Sequence, residues 1–427
     1  MLFTSQRNKT YKIGLVLFYV GIFLLPSSLG LSIIFILFSS IIGLFIYPEE
    51  TLKDKWNVVL VIISFFMVTS SIFNTFFNQT IYTIDLPKSR YWLDLFNWIP
   101  LFLCFIGSQK YLRNQKDREI TALIMISGSI PIIFTGIAQY FFNLTPGILK
   151  TFFGLITWYQ EEIYEKNGLS GLFSNPNYAS SWLNIIWPFC IASAFKTKKR
   201  INKSIQILIT IFVFLCTILT NSRAGSGGLF ITFLMVPEWK IIRRFSPFII
   251  FFLIGQITFF IPQLFLKVKD YFKDEISIEE LFFSYSFEYS NEVITRFDIW
   301  MSGIRNIINN PFFGSGSGSF TAKFLYDEGV FRAHSHNLPL ELAINFGIPV
   351  SIFLSSLVIT ISILSIKTSF LLEEKKYLDK IFDKAWSVSL LVLIIGHLVD
   401  IPYFDGRISI GGWILLAGSR NIIRKKY

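Results

Sequence analysis

Two arginines and two histidines give this chain its most reactive combination of side chains. Arg223 follows a long apolar run, Arg296 opens a segment with helical periodicity, and His334 and His336 lie farther along a polar stretch. Guanidinium groups bind anions through paired donors, and an imidazole can exchange a proton near neutral pH. An arginine next to an apolar run can also reach the membrane interface without any further role. Anion binding and proton transfer are therefore the candidate chemistry.

The polar stretch from 291 to 343 must position three of these side chains. From Arg296 to Ile307, apolar residues recur at helical spacing, so we expect an amphipathic helix with one face on an apolar surface. Asn310 and Pro311 end that pattern, and a second helical pattern begins near His336 and Asn337. The sequence therefore predicts a loop with short helices that carries the histidines.

A glycine-rich segment, 314–318, lies between the two helical patterns. It lacks the Lys and Ser/Thr that end a phosphate-binding P-loop, so it does not support ATP binding. We expect it to form a flexible turn.

Composition shows what surrounds this loop. The 427 residues are 52% hydrophobic and 16% charged, below the roughly 25% charged that is usual for soluble domains. Windows of about 20 residues without charge recur along the chain, as transmembrane helices require. The net charge of +11 comes from short clusters between apolar runs, which is typical of membrane topology signals. A soluble protein and a nucleic-acid-binding protein are both disfavoured.

The apolar runs predict an all-α, polytopic transmembrane bundle of about 12 spans, with one large periplasmic loop containing short helices. The run from 224 to 236 is barely long enough to span. The predicted spans cover approximately 13–25, 30–47, 56–76, 92–106, 119–142, 178–195, 205–220, 224–236, 245–265, 338–366, 385–401 and 408–417.

Lysine and arginine counts predict the orientation of these spans. With the N-terminus inside, the cytoplasmic segments carry 26 Lys and Arg, whereas the short loops opposite carry 6. Both termini are then cytoplasmic, and the long loop faces outward. Loss of one weak span, the eighth or the twelfth, would reverse everything after it.

Four segments in order resemble the O-antigen ligase and O-antigen polymerase superfamily of bacterial envelope proteins. Together they cover about 168–354. They are Gly168–Ala179 (GLSGLFSNPNYA), Asn221–Gly225 (NSRAG), Arg296–Trp300 (RFDIW) running into Asn310–Phe320 (NPFFGSGSGSF), and His334–Gly347 (HSHNLPLELAINFG).

The resemblance implies a metal-independent membrane glycosyltransferase without a cofactor. Such an enzyme moves a glycan from undecaprenyl diphosphate to a hydroxyl of lipid A-core, or of a growing glycan, at the periplasmic face of the bacterial inner membrane. The family's catalytic residues fall on Arg223, Arg296 and His336. The arginines would stabilise the diphosphate leaving group, and His336 would take the proton of the acceptor hydroxyl.

The resemblance leaves several residue roles open. Either His334 or His336 could be the base, and the Asn that follows His336 favours that residue; a helix would direct the two to different faces. We place the substrate-binding residues at His334, Asn175, Asn177, Asn337, Gly316 and Gly318. For the asparagines at 175 and 177, an ordinary turn into a span is favoured over sugar binding, and the two glycines are expected to shape the loop.

The sequence thus predicts three consecutive regions. They are N-terminal transmembrane helices (1–167), a ligase-like core (168–366) that includes a periplasmic loop (267–337), and C-terminal helices with a basic cytoplasmic tail (367–427). The ligase is preferred over the polymerase. A transporter for anions or small solutes, in which the arginines select the anion, is the alternative from another class. The expected partners are the lipid-linked donor, the acceptor and membrane lipids, and no nucleic acid.

Overall fold

The computed structural model describes residues 2–46, 48–77, 87–160, 163, 168–244, 246–247, 250, 296–371 and 377–424. Most of these residues are helical, which confirms the all-helical polytopic class. The helices are α1 Leu2–Leu24, α2 Leu29–Ile46, α3 Pro48–Lys53, α4 Lys55–Phe76, α5 Ser89–Leu93, α6 Ile99–Ser108, α7 Gln115–Gly128, α8 Ile130–Phe142, α9 Pro176–Lys196, α10 Arg200–Leu219, α11 Arg223–Met235, α12 Arg296–Asn309, α13 Ser319–Glu328, α14 Leu338–Phe346, α15 Ile348–Leu371, α16 Tyr377–Val399 and α17 Gly406–Arg424.

Seven helical stretches among the described residues are long and apolar enough to cross a bilayer. They are Leu29–Ile46, Lys55–Phe76, Ser89–Ser108, Gln115–Phe142, Arg200–Leu219, Ile348–Phe370 and Tyr377–Val399. The expected eighth span is the 13-residue helix α11, about 20 Å long against a hydrocarbon core of about 30 Å. The expected ninth span, 245–265, lies almost wholly outside the described residues. The count of about 12 spans therefore stays a prediction.

Two of the predicted spans are interrupted. The fifth breaks at Ser129, where Pro131 in the first turn of α8 supplies no amide donor for the preceding turn. The tenth breaks at Gly347, whose φ of +92° ends α14. A Cβ on Gly347 would lie 2.1 Å from the Phe312 carbonyl oxygen. The first nine residues of the tenth run therefore form a separate helix directly after the histidines.

A short β-hairpin was not predicted. Strands β1 (Gly147–Thr151) and β2 (Ile156–Gln160) pair antiparallel, with Gly147 opposite Gln160 and Thr151 opposite Ile156. Its residues fall in a segment without the long apolar run that a span requires. The hairpin is the small exception to the all-helical architecture.

The chain divides into two compact units, and the first contains residues 1–65, 94–237 and 353–427. Helix α9 lies at its centre, with most of its residues buried, and packs against α7, α10, α11, α16 and α17. A buried ion pair joins α7 to α16, since the Arg118 guanidinium donates to both Asp383 oxygens at 2.8 and 2.9 Å. Polar groups inside a helical bundle need such partners.

The second unit contains residues 66–93 and 238–352. Its apolar core joins α12, α13 and α14 through Ile299, Phe320, Phe324 and Ile344. The two units interleave along the chain, whereas the predicted regions 1–167, 168–366 and 367–427 are consecutive. That three-part division, with its loop at 267–337, stays a prediction, and much of the loop lies outside the described residues.

Candidate active site

The two histidines lie together in the loop between α13 and α14. Their ring centroids are 4.5 Å apart, and the rings meet edge to face at 72°. Neither residue is helical, so the expectation that they would face different sides of a helix does not apply. His336 has a φ of +53°, a left-handed conformation that is uncommon for residues with a side chain. Backbone strain of this kind clusters at functional sites.

Hydrogen bonds hold this histidine loop in place. The Ser335 amide, between the histidines, donates to the buried Glu341 carboxylate at 2.9 Å. The Asn337 side chain accepts from the Leu340 amide at 3.0 Å and so caps α14. On the other side, Thr321 in the first turn of α13 donates to the Ala333 carbonyl at 3.0 Å. Two helices therefore fix the loop that carries the imidazoles.

The structure distinguishes the two imidazoles. The His336 backbone amide donates to Nδ1 of His334 at 3.3 Å, so this nitrogen acts as an acceptor within the loop. Protonation of that nitrogen would remove the contact, because an imidazolium has only donors. His334 is thus placed to support the unusual backbone of His336. This arrangement favours His336 as the group that exchanges a proton.

Arg296 is the first described residue of α12, as the periodicity predicted. The periodicity places Phe297, Trp300, Ile304 and Ile307 on one packing face. This prediction was partly wrong, because Phe297 and Ile304 are 45% and 42% exposed. Ile299 is buried instead, and Trp300 and Ile307 pack against the same core. The buried face is therefore rotated from the expected one.

The glycine segment forms the predicted turn, and hydrogen bonds hold it against two helices. The Ser315 and Gly316 amides donate to the Ile344 and Asn345 carbonyls at 2.7 and 3.2 Å. The Ser315 hydroxyl donates to Asn306 Oδ1 at 2.6 Å. These bonds fasten the turn, which leads into α13, to the end of α14 and to α12.

Arg223 lies in the first unit, at the first position of α11. The Ser222 side chain caps this helix by accepting from the Gly225 amide at 3.3 Å. Gly228 lies so close to α9 that a Cβ would be 2.3 to 2.7 Å from the side chain of Asn184. The small residues after Arg223 therefore allow α11 to pack closely on α9, and Arg223 itself is exposed.

Asn175 and Asn177 lie where segment 168–175 enters α9. Asn175 caps this helix by accepting from the Tyr178 amide at 2.9 Å. The Asn177 carbonyl accepts from the hydroxyls of Ser180 and Ser181 at 2.9 and 2.8 Å. The helix-entry role is thus present for Asn175, and sugar binding by either residue stays a prediction.

Residues 208–355 match the family model described as O-Antigen ligase. We refer to this matched third of the chain as the O-antigen ligase domain, and the match supports the O-antigen ligase and polymerase superfamily. A search of the curated proteins found no match. Members of this family are membrane glycosyltransferase-like enzymes, and the apolar helices agree with a membrane protein.

The O-antigen ligase domain contains most of the predicted site residues, but not all of them. Seven predicted site residues lie inside 208–355: Arg223, Arg296, Gly316, Gly318, His334, His336 and Asn337. Asn175 and Asn177 precede it. Six of the seven belong to the second unit, and Arg223 belongs to the first. Convergence of Arg223 with the histidines stays a prediction.

Two neighbouring side chains outside the O-antigen ligase domain, Arg90 and Tyr91, pack on the glycine turn. The sequence did not predict this contact. A Cβ on Gly316 would lie 2.2 Å from the ring of Tyr91, and one on Gly318 would lie 2.6 Å from Cζ of Arg90. Both glycines have a positive φ, +82° and +78°. Arg90 and Tyr91 are more than 200 residues away along the chain, and only their position between two spans could have indicated them.

Gln139 and Arg407, which the sequence analysis did not identify, hold segment 168–175 in place within the first unit. Gln139 Oε1 accepts from the amides of Ser170 and Gly171 at 3.0 and 2.8 Å. Arg407 donates to the Leu172 carbonyl at 2.6 Å, and its guanidinium carbon lies 3.8 Å from the centre of the Phe173 ring. Both therefore support the turn that ends at Asn175, and nothing in the sequence links them to it.

Proposed function

We propose that this protein transfers a glycan from undecaprenyl diphosphate to a hydroxyl of lipid A-core, at the periplasmic face of the bacterial inner membrane. The O-antigen ligase domain supports the reaction class. The observation that carries the proposal is the fixed histidine loop inside that domain, with His336 in a left-handed conformation beside His334.

In this reaction His336 accepts the proton of the acceptor hydroxyl. The oxygen then bonds to the anomeric carbon of the donor as the bond from that carbon to the phosphate oxygen breaks, and the lipid diphosphate leaves with the electron pair. A general base of this kind contributes roughly a hundred- to ten-thousandfold in rate.

Arg223 and Arg296 bind the departing diphosphate. Charge grows on its oxygens as the bond breaks, and guanidinium groups stabilise such charge through paired hydrogen bonds. Both arginines fall on one side of the membrane when the N-terminus is cytoplasmic, which is the side opposite the basic short loops.

A deletion strain tests which member of the superfamily this is. If the protein is the ligase, full-length glycan chains accumulate on the lipid carrier and lipid A-core stays bare. Single repeat units attached to core would instead identify the polymerase. Gel analysis of the lipopolysaccharide and of the lipid-linked pool distinguishes the two, and a normal glycan profile with altered anion uptake would favour the transporter.

A further inference from the structure

The β-hairpin of the first unit carries large apolar side chains at the surface of the protein. At its tip, Phe152 is 71% exposed and Phe153 is fully exposed. In strand β1, Ile148 and Leu149 are 52% and 53% exposed. A contiguous apolar patch of this kind marks a contact with a membrane or with another protein.

The backbone of the tip presents these rings at a conformational cost. Phe152 and Phe153 have φ values of +49° and +57°, in the left-handed region that favours glycine. Bulky residues rarely adopt this conformation, and two in succession are rarer still. Strained backbone of this kind clusters at functional sites, so the outward position of the two rings needs a reason beyond chain reversal.

Two contacts fix the hairpin to helices of the same unit. At the tip, Leu155 lies against the start of α2, since a Cβ on Gly30 would be 2.5 Å from the Leu155 carbonyl oxygen. At the base, the Gln160 side chain donates to the Thr135 carbonyl of α8 at 3.0 Å. Helix α2 and the helical stretch that ends with α8 are both long and apolar enough to cross a bilayer. The hairpin therefore lies beside two transmembrane helices.

The position of the hairpin along these helices places it at a membrane boundary. Its tip meets the first turn of α2, and strand β1 begins five residues after the last residue of α8. The start of α2 and the end of α8 are thus on the same side of the bilayer. With the N-terminus cytoplasmic, that side is the periplasmic one, and the adjacent lipid is the outer leaflet.

The lipid-facing surface of α8 continues into the hairpin. On α8, Phe134, Phe141 and Phe142 are 69%, 63% and 69% exposed. Leu144, in the connection to β1, is 58% exposed. An exposed apolar surface on a helix that crosses the bilayer faces acyl chains. Because the hairpin patch extends this surface without a break in the chain, we assign lipid to both.

The polar groups of the hairpin suit the membrane interface. Lys150 is exposed two residues before Phe152, and a lysine can reach lipid phosphates while its stem stays in apolar surroundings. In the turn, the Leu155 amide donates to the Phe152 carbonyl at 3.1 Å, and the Thr157 hydroxyl donates to the Gly154 carbonyl at 3.0 Å. These internal bonds lower the cost of moving the turn out of water.

We propose that the hairpin, residues 147–160, binds the outer leaflet of the membrane. Its backbone lies at the level of the lipid headgroups, where water still reaches the open strand edges. The rings of Phe152 and Phe153 insert among the acyl chains, and Lys150 binds anionic headgroups. This lipid contact of the first unit does not depend on the proposed reaction.

Spin-label accessibility locates the tip in the full chain, reconstituted in nanodiscs of phosphatidylethanolamine and phosphatidylglycerol. The three native cysteines are replaced by alanine, and one nitroxide is attached at Phe153→Cys or at Leu149→Cys. Oxygen collides with labels in lipid, whereas a water-soluble nickel complex collides with labels in water. Ile211→Cys, on the exposed face of α10, is the lipid reference, and Lys198→Cys, in the loop before α10, is the water reference.

We expect the ratio of oxygen to nickel accessibility at Phe153→Cys to exceed that at Lys198→Cys several-fold and to approach that at Ile211→Cys. The ratio at Leu149→Cys should fall between the two references. Replacing both Phe152 and Phe153 by serine should lower the ratio at Leu149→Cys several-fold, to the value of the water reference.

The matched control is Phe76→Ser, which removes an equally exposed phenylalanine at the end of α4. This substitution should leave the ratio at Leu149→Cys unchanged. The melting temperature of each variant reports folding. If the double serine variant does not fold, the label at Phe153→Cys, with Phe152 still in place, decides.

Three results would overturn the proposal. A label at Phe153→Cys that is as accessible to nickel as Lys198→Cys would place the tip in water. Low accessibility to both reagents would show that protein covers the tip, either a second copy of this chain or another partner. An unchanged ratio at Leu149→Cys in the folded double serine variant would show that the two rings do not hold the hairpin in the membrane.

Discussion

At the scale of residues, the account depends on how the chain holds His336. Its positive φ is maintained by neighbours on both sides: the Ser335 amide bonded to Glu341 and the Asn337 cap of α14. His334 adds an acceptor for the His336 amide. The imidazole is therefore presented by a backbone that several contacts fix, as efficient proton transfer requires.

Replacement of His334 tests whether His334 supports the His336 backbone while His336 transfers the proton. We expect His334→Ala to lower transfer roughly two- to tenfold, because it removes one hydrogen bond that supports the His336 backbone. His334→Asn, whose side-chain oxygen can still accept, should retain more activity. Initial rates with saturating donor measure the difference. Equal and complete loss in both variants would instead assign the chemistry to His334.

The sequence predicted part of this site. The polar stretch and the Asn that follows His336 located the start of α14 within one residue. The contact between the two imidazoles could not be predicted, because it depends on a left-handed backbone at a residue that rarely adopts it. Arg90, Tyr91 and Gln139 were missed because the residues that they contact are distant in sequence and share no motif with them.

At the scale of elements, the glycine turn holds the second unit together. Its amides bond to the end of α14, and Tyr91 and Arg90 lie against Gly316 and Gly318. Hydropathy predicted the long helices. It missed the breaks at Ser129 and Gly347, because the mean hydropathy of a window does not report backbone conformation. It missed the β-hairpin because that segment contains no long apolar run.

A pair of glycine variants separates packing from backbone strain. Gly316→Ala adds a methyl group 2.2 Å from the Tyr91 ring at a φ of +82°, whereas Gly329→Ala has a φ of +67° and no atom within 4 Å. Backbone strain alone costs roughly 1–2 kcal/mol, and overpacking adds about 1–3 kcal/mol. We expect Gly316→Ala to lower the melting temperature more and to reduce transfer. Similar melting temperatures for both variants would contradict the packing account.

At the scale of the whole molecule, the account requires Arg223 and the histidines on the outward side. The charge of the short loops predicts this orientation, and the O-antigen ligase domain contains both Arg223 and His336. The predicted orientation depends most on the eighth span, since α11 has only 13 residues. If α11 does not cross the membrane, every later segment lies on the side opposite to the predicted one.

Cysteine labelling in intact spheroplasts tests this orientation. The three native cysteines are buried and would first be replaced by alanine. We expect Ala224→Cys and Ala333→Cys, both at exposed positions, to react with a membrane-impermeant maleimide. Lys198→Cys, in the loop before α10, should react only after permeabilisation. Labelling of Ala224→Cys and Ala333→Cys from opposite sides would contradict the proposed site.

Glycan transfer by the purified protein is the direct test of the proposed reaction. The assay combines wild-type protein, a glycan on undecaprenyl diphosphate and lipid A-core, and follows glycan attached to core. The account predicts transfer by the wild type and loss of transfer in folded His336→Ala and Arg296→Ala, with His336→Ala slower by roughly a hundredfold or more. Transfer at the wild-type rate by His336→Ala would contradict the account.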